Sequence, residues 1–166
     1  MTQLLDKQQV KQKINRIAIE LLEHNSDVTT LVLAGINNNG MRFARQLEEV
    51  LQRLAPQVTV LMANIKLNPA NPLTLEVQVL PSVDVLQGKS IVIVDDVANT
   101  GRTIFYALKP LMGILPAKVE VAVLVDRKHK LFPIHCDYVG MTLATTVDEN
   151  IQVHITDESE YAVYLT

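Results

Sequence analysis

Ile91, Val92, Ile93 and Val94 run without a break into Asp95 and Asp96, and on into Val97, Ala98, Asn99, Thr100, Gly101, Arg102 and Thr103. Four β-branched apolar residues in a row read as a strand that is apolar on both faces, which suits a parallel strand covered on both sides. Thr100-Gly101 supplies a turn, and Thr100 or Thr103 is placed to cap the apolar helical pattern that follows. In an open α/β sheet, ligands bind beyond the carboxyl ends of the strands. The unpaired N–H groups of a loop and helix start favour a phosphate there. Asp95 and Asp96 stand just upstream, where carboxylates accept hydrogen bonds from sugar hydroxyls. The segment therefore describes a pocket for a sugar phosphate.

The rest of the chain supports that setting. Val10, Ile14, Ile17, Ala18 and Leu21 recur at helical spacing, so residues 6–24 read as an amphipathic helix. Residues 30–34 read as a buried strand and 35–40 as a polar turn with glycine at both ends. Phe43, Ala44, Leu47, Val50, Leu51 and Leu54 mark a second amphipathic helix. Strands are predicted over 58–67 and 73–80, joined by an irregular Asn/Pro segment at 68–72. Strand 90–94 leads to helix 102–113, which Pro110 bends or shortens. Residues 119–125, 138–140 and 151–155 complete the predicted strands. Strands alternating with helices argue for an α/β fold, a mostly parallel sheet flanked by helices, in one domain spanning 1–166.

Composition narrows the function classes. A net charge of -3 gives no overall pull toward nucleic acid, so RNA binding is left without support from charge. One cysteine excludes an internal disulfide and favours a reducing cytoplasm. The amino terminus lacks the layout of a signal peptide, and no apolar run has membrane-spanning length. His129, His135 and Cys136 have poor metal spacing, because neighbours on a strand face opposite ways; Cys136 reads as a core residue. Arg127, Lys128, His129 and Lys130 read as a solvated basic loop. Asp148-Glu149 and the acids at 157–160 read as solvated turns.

The segment from Asp95 to Thr103, in its strand–loop–helix context, resembles the phosphoribosyl-pyrophosphate (PRPP) motif of type I phosphoribosyltransferases. Residues 121–140 and 31–36 are also similar to the pyrimidine operon attenuator proteins, which act as uracil phosphoribosyltransferases as well. The resemblance implies a type I phosphoribosyltransferase fold with a reduced hood, a cytoplasmic homodimer, and Mg²⁺ arriving with PRPP rather than on a protein metal cluster. It implies that Asp95 and Asp96 bind the ribose hydroxyls, and it makes Asp95, Asp96 and Asn99 the candidate catalytic residues. Val97, Ala98, Asn99, Thr100, Gly101, Arg102 and Thr103 would complete the PRPP site around the 5′-phosphate. Gly35, Ile36, Asn37, Asn38, Asn39 and Gly40 would form the pyrophosphate loop. Asp126, Val139 and Gly140 would lie near the base.

This chain departs from the family pattern in three places. The pyrophosphate loop carries Asn37, Asn38 and Asn39 where the family usually has a lysine or arginine, with Arg42 just beyond. Asn99 stands where purine members hold an aspartate, and an amide cannot take a proton. Residues 68–72 are shorter than the family's mobile loop and lack its Tyr-Arg-Asp-Asp segment. Two functions stay open at this level. One is a transferase joining a nucleobase, uracil or another pyrimidine foremost, to PRPP with release of pyrophosphate. The other is a weakly active or inactive regulator that senses PRPP or nucleoside monophosphate, acting on RNA or a partner protein.

Overall fold

The computed structural model describes residues 1–146 and 148–166. Its main sheet contains β2 (Thr30–Ile36), β3 (Thr59–Lys66), β4 (Gln78–Leu80), β5 (Ser90–Ala98), β6 (Lys118–Arg127) and β7 (Tyr138–Leu143). Their order across the sheet is β4-β3-β2-β5-β6-β7, parallel except for β4 at the edge. The continuous apolar runs of β2, β5 and β6 occupy the middle, where both faces are covered. Val32, Leu33, Ile91, Val92, Ile93, Val94, Val123 and Leu124 are all fully buried.

Helices α1 (Lys7–His24) and α2 (Asn37–Leu54) cover one face. Their apolar stripes, with Val10, Ile14, Ile17 and Leu21 on α1 and Phe43, Leu47 and Leu51 on α2, belong to the same core as Leu31, Leu33, Val92 and Val94. Helix α3 (Arg102–Ala107) and the 3₁₀ turns at Val83–Leu86 and Lys109–Gly113 cover the other. There Ile104, Ala107, Leu111 and Leu86 pack with Val32, Ile91, Ile93, Val123 and Cys136. Asp6 caps α1 reciprocally with Gln9, which sets its start.

A second sheet, antiparallel, joins β1 (Thr2–Leu5), β9 (Ala162–Leu165) and β8 (Ile151–His154) in the order β1-β9-β8. Its first pairing brings Thr2 opposite Leu165. Neither terminal strand is predicted from sequence. Each is four residues long, and its partner lies at the far end of the chain.

Other boundaries are corrected. The strand expected over 73–80 forms only at Gln78–Leu80. Strand β5 continues four residues past Val94, so the paired acids lie within the strand. The helix expected over 102–113 ends at Ala107 and tightens into a 3₁₀ turn with Pro110 near its start. The polar turn expected at 35–40 is replaced by a direct junction: β2 ends at Ile36 and α2 begins at Asn37.

Strands β3 and β5 lie on opposite sides of β2, so the chain reverses its direction of travel across the sheet there. Such a switch point opens a crevice at the carboxyl ends of the strands. Two glycines allow α2 to start so close to it. A Cβ on Gly40 would lie 2.4 Å from the Val94 carbonyl oxygen, and one on Gly35 would lie 2.7 Å from the Met41 backbone. Both obstacles are backbone atoms that cannot rotate away. Gly40→Ala is expected to destabilise the protein by about 1–3 kcal/mol through forced backbone displacement. Urea unfolding should show this as a lower midpoint with an unchanged slope.

Candidate active site

The crevice beside the switch point is a cleft of about 460 Å³. Ile36, Asn37, Asn38 and Asn39 line it from the β2–α2 junction, and Asp95, Asp96, Val97, Asn99 and Thr103 from the end of β5 and the loop after it. The two segments read separately from the sequence thus face one another. Pro69 and Ile151 close the cleft from the 68–72 segment and from the start of β8. Pro69 belongs to the segment that the resemblance places at the family's mobile loop, whereas Ile151 carries no such signal and enters by a long-range approach.

The acids are desolvated. Asp95 is only 8% exposed. Burial pushes its carboxyl well above the usual carboxylate range, and the Asp96 charge pushes it further. Burial also raises Asp96, opposed in part by hydrogen bonds from Asp95 and from the Val97 N–H, and by the Arg42 charge. The Asp96 N–H donates to Asp95 Oδ1 at 3.0 Å, and the Val97 N–H to Asp96 Oδ1 at 2.8 Å. Neither carboxylate forms an ion pair among the described residues. Two buried carboxylates of this kind suit a ligand rich in hydroxyls that brings a cation with it.

Behind them, Asp95, Val97, Ala98, Asn99, Thr100, Gly101, Arg102, Thr103 and Ile104 enclose a small cradle of about 40 Å³. Gly101 has φ 87° and occupies the cap position of α3, so neither threonine is the cap residue. Thr100 contributes from one step upstream, its hydroxyl accepting from the Arg102 N–H at 3.4 Å. The Thr100 carbonyl in turn accepts from the Leu131 and Phe132 N–H groups at 3.0 and 3.2 Å.

The asparagines of the β2–α2 junction differ in what they do. Asn37 adopts φ 50°, a left-handed conformation that asparagine tolerates. Its Oδ1 accepts from the Leu67 N–H at 3.0 Å. Asn64 donates to the Gly35 and Asn37 carbonyls at 2.9 and 3.1 Å. Asn37 is thus committed to holding the junction, and Asn64, a half-buried mid-strand residue without a sequence signal, braces it. Asn39 accepts from Arg42 at 3.1 Å, while Asn38 is exposed in the cleft.

Asp126, Val139 and Gly140 do not line the cleft or the cradle. Asp126 is paired with Lys130 at 2.5 Å. The Val139 and Gly140 carbonyls accept from Arg16 at 3.2 and 2.9 Å.

The basic cluster is corrected in part: Lys128 and His129 are exposed, but Arg127 and Lys130 fold back onto the loop after β5. Cys136 is buried in the core, its thiol pushed up to about 12 by burial and by the Asp126 charge. Asp157 caps the 3₁₀ turn Glu158–Glu160, where Glu158 pairs with Lys11. Glu149 accepts from the Thr146 N–H.

A carboxyl whose folded pKa is raised binds its proton more tightly in the folded state. Its burial costs nothing while both states are protonated, and stability falls as pH rises from the ordinary carboxylate range through the raised value. Asp95→Asn removes that penalty and keeps the acceptor for the Asp96 N–H. The unliganded variant should melt a few degrees higher than wild type at pH 8, where 1 kcal/mol is worth about 2–4 °C for a chain of this size. The difference should vanish near pH 4. Calorimetric melts across that range check it.

A family model described as a phosphoribosyl transferase domain matches residues 1–158. Bifunctional protein PyrR of Streptococcus pneumoniae (strain CGSP14) is 39% identical over 157 residues, covering 93% of this chain and 90% of the relative. Among solved structures, a hypoxanthine-guanine phosphoribosyltransferase from Bacillus anthracis superposes with a TM-score of 0.78 at 18% identity, covering 100% of this chain and 97% of that one. The hypoxanthine phosphoribosyltransferase of Trypanosoma cruzi also gives 0.78 at 18% identity, covering 99% and 95%. The fold, the opposed β2 and β5 segments and these matches together make the chain a member of the phosphoribosyltransferase family.

Proposed function

We propose that the chain, 1–166 as one unit, transfers the phosphoribosyl group of PRPP to a pyrimidine base, uracil foremost, and releases pyrophosphate. The single observation that carries this reading is the meeting of Asp95 and Asp96, the cradle formed with Asn99 to Thr103, and the start of α2 around one cleft. A PRPP molecule needs three such stations. The cradle takes the 5′-phosphate through backbone N–H groups and the Thr100 and Thr103 hydroxyls. Asp95 and Asp96 accept from the ribose hydroxyls. The first turn of α2, an 18-residue helix, faces the pyrophosphate with its unpaired N–H groups and the Asn38 and Asn39 amides. Asp126, Val139 and Gly140 are assigned to the base side on the strength of the family resemblance.

Mg²⁺ fits this site, because neither desolvated carboxylate is engaged in an ion pair among the described residues. Held with PRPP beside Asp95 and Asp96, it would supply positive charge against the leaving pyrophosphate. As the base nitrogen displaces pyrophosphate from ribose C1, the chain's own donors at the α2 start meet the charge that builds on the leaving group. We also assign a homodimer, on the strength of the family resemblance. Sedimentation checks that assignment.

A second reading, a sensor with little turnover, is favoured by the uncharged junction. Mass action predicts a raised melting temperature with PRPP–Mg²⁺ and with uridine monophosphate under either reading. Pyrophosphate release across a panel of bases separates the two. Release that depends on uracil supports the transferase; binding without release from any base supports the sensor; no binding of any sugar phosphate removes both.

Under the transferase reading, Asn38 is the position at which charge can be restored, since Asn37 is committed to the junction. Asn38→Lys should raise turnover about tenfold, the rate equivalent of about 1.4 kcal/mol from one charge-assisted hydrogen bond. Asn37→Lys should not, because it loses the Leu67 bond and forces lysine into a left-handed backbone. Steady-state pyrophosphate release by the two variants tests this.

A further inference from the structure

We infer that Arg127 is a positioning residue for the proposed reaction, one that orients the Asn99 amide in the cleft and ties the loop after β5 to the chain leading to β8. The inference rests on the functional reading above. Arg127 is the last residue of β6 and is half-buried. Its guanidinium makes three separate hydrogen bonds. One terminal nitrogen donates to Asn99 Oδ1 at 3.1 Å. Nε donates to Thr145 Oγ1 at 2.7 Å, and the other terminal nitrogen to the Thr146 carbonyl at 2.8 Å. Lys130 adds a donor from the same turn, reaching the Asn99 carbonyl at 3.0 Å.

A guanidinium only donates, so the side chain facing it must present its acceptor. Arg127 therefore turns the Asn99 carbonyl oxygen away from the cleft and leaves the NH₂ group, which has no hydrogen-bond partner among the described residues, to point at a ligand acceptor. Asn99 becomes a donor in a cleft whose other side chains include two carboxylates. The same fork fixes Thr145 and Thr146, a few residues before Ile151, which walls the cleft opposite. One planar cation thus sets both the character of Asn99 and the spacing between the loop and the Ile151 wall. A lysine cannot reproduce three bonds in a fixed fan.

Calorimetric titration of the full chain with ribose 5-phosphate and with uridine monophosphate tests this. Ribose 5-phosphate reaches only the cradle and the two acids; the nucleotide also spans the gap to the wall. Arg127→Gln should weaken the nucleotide about tenfold and ribose 5-phosphate less than threefold, and Arg127→Lys should recover little of the loss. Asn99→Asp keeps a partner for Arg127 but removes the donor, so it should weaken the nucleotide to a similar degree. The double variant Asn99→Ala, Arg127→Gln should lose less than the sum of the two single losses, because part of the arginine's effect runs through that side chain. Melting temperatures check that each variant is folded. Equal weakening of both ligands, no weakening of either, or additive losses in the double variant would overturn the inference while leaving the proposed function in place. Wild-type protein that binds neither ligand would remove the function, and the inference with it.

Discussion

The approach of α2 to β5 governs the arrangement of this molecule. Gly40 lies against the Val94 carbonyl and Gly35 against Met41, so the first turn of α2 sits directly over the point where β2 and β5 part. With any side chain at either position, the helix start would move away from the acids. The cleft would then widen on the side where pyrophosphate is proposed to sit. The asparagine bonds around it, Asn37 to Leu67 and Asn64 to Gly35 and Asn37, hold that approach in place. These bonds account for an asparagine at Asn37 on conformational grounds, independently of any ligand.

The opposite wall is built by long-range ties. Leu131 and Phe132 hold the Thr100 carbonyl, Lys130 holds the Asn99 carbonyl, and Arg127 holds the Asn99 amide. Arg102 reaches across to the Pro69 carbonyl at 2.5 Å, which binds the 68–72 segment to the same loop. The cradle is therefore braced from both sides. Burying Asp95 and Asp96 without an ion-pair partner among the described residues carries a stability penalty at neutral pH, which under the proposed function a hydroxyl-rich ligand with its metal would relieve. On that proposal, stability and ligand affinity are opposed at these two residues, as is common where a fold keeps charged groups ready for a substrate.

Much of this was legible in the chain itself. The unbroken apolar runs of β2, β5 and β6 marked central parallel strands, the helical stripes of α1 and α2 marked a covered face, and Pro110 marked the end of α3. The acids and the Thr-Gly turn pointed to a candidate site because their residue types are tied to local backbone needs. Boundaries drifted where polar residues continue a regular element. Asp95 and Asp96 belong to β5, because ladder pairing to β6 continues through them. Asn37, Asn38 and Asn39 belong to α2, because the helix gains from starting at the switch point rather than after a turn. The terminal strands carry no local signal, because four-residue strands acquire their meaning only from a partner some 160 positions away.

By itself, the sequence determined the α/β class, the strand–loop–helix character of the segment from Asp95 to Thr103 and the absence of a charged side chain among the three asparagines. Those properties follow from periodicity and residue chemistry, which are local. Only the tertiary structure decided which asparagine is available to a ligand, that Arg127 and Lys130 brace the loop after β5, and that Ile151 and Pro69 complete the cleft. It also decided that the Val139 and Gly140 carbonyls are held by Arg16. Each of these depends on hydrogen bonds or contacts between segments distant in the chain. Such contacts are set by how the sheet orders its strands, and no window of sequence contains that order.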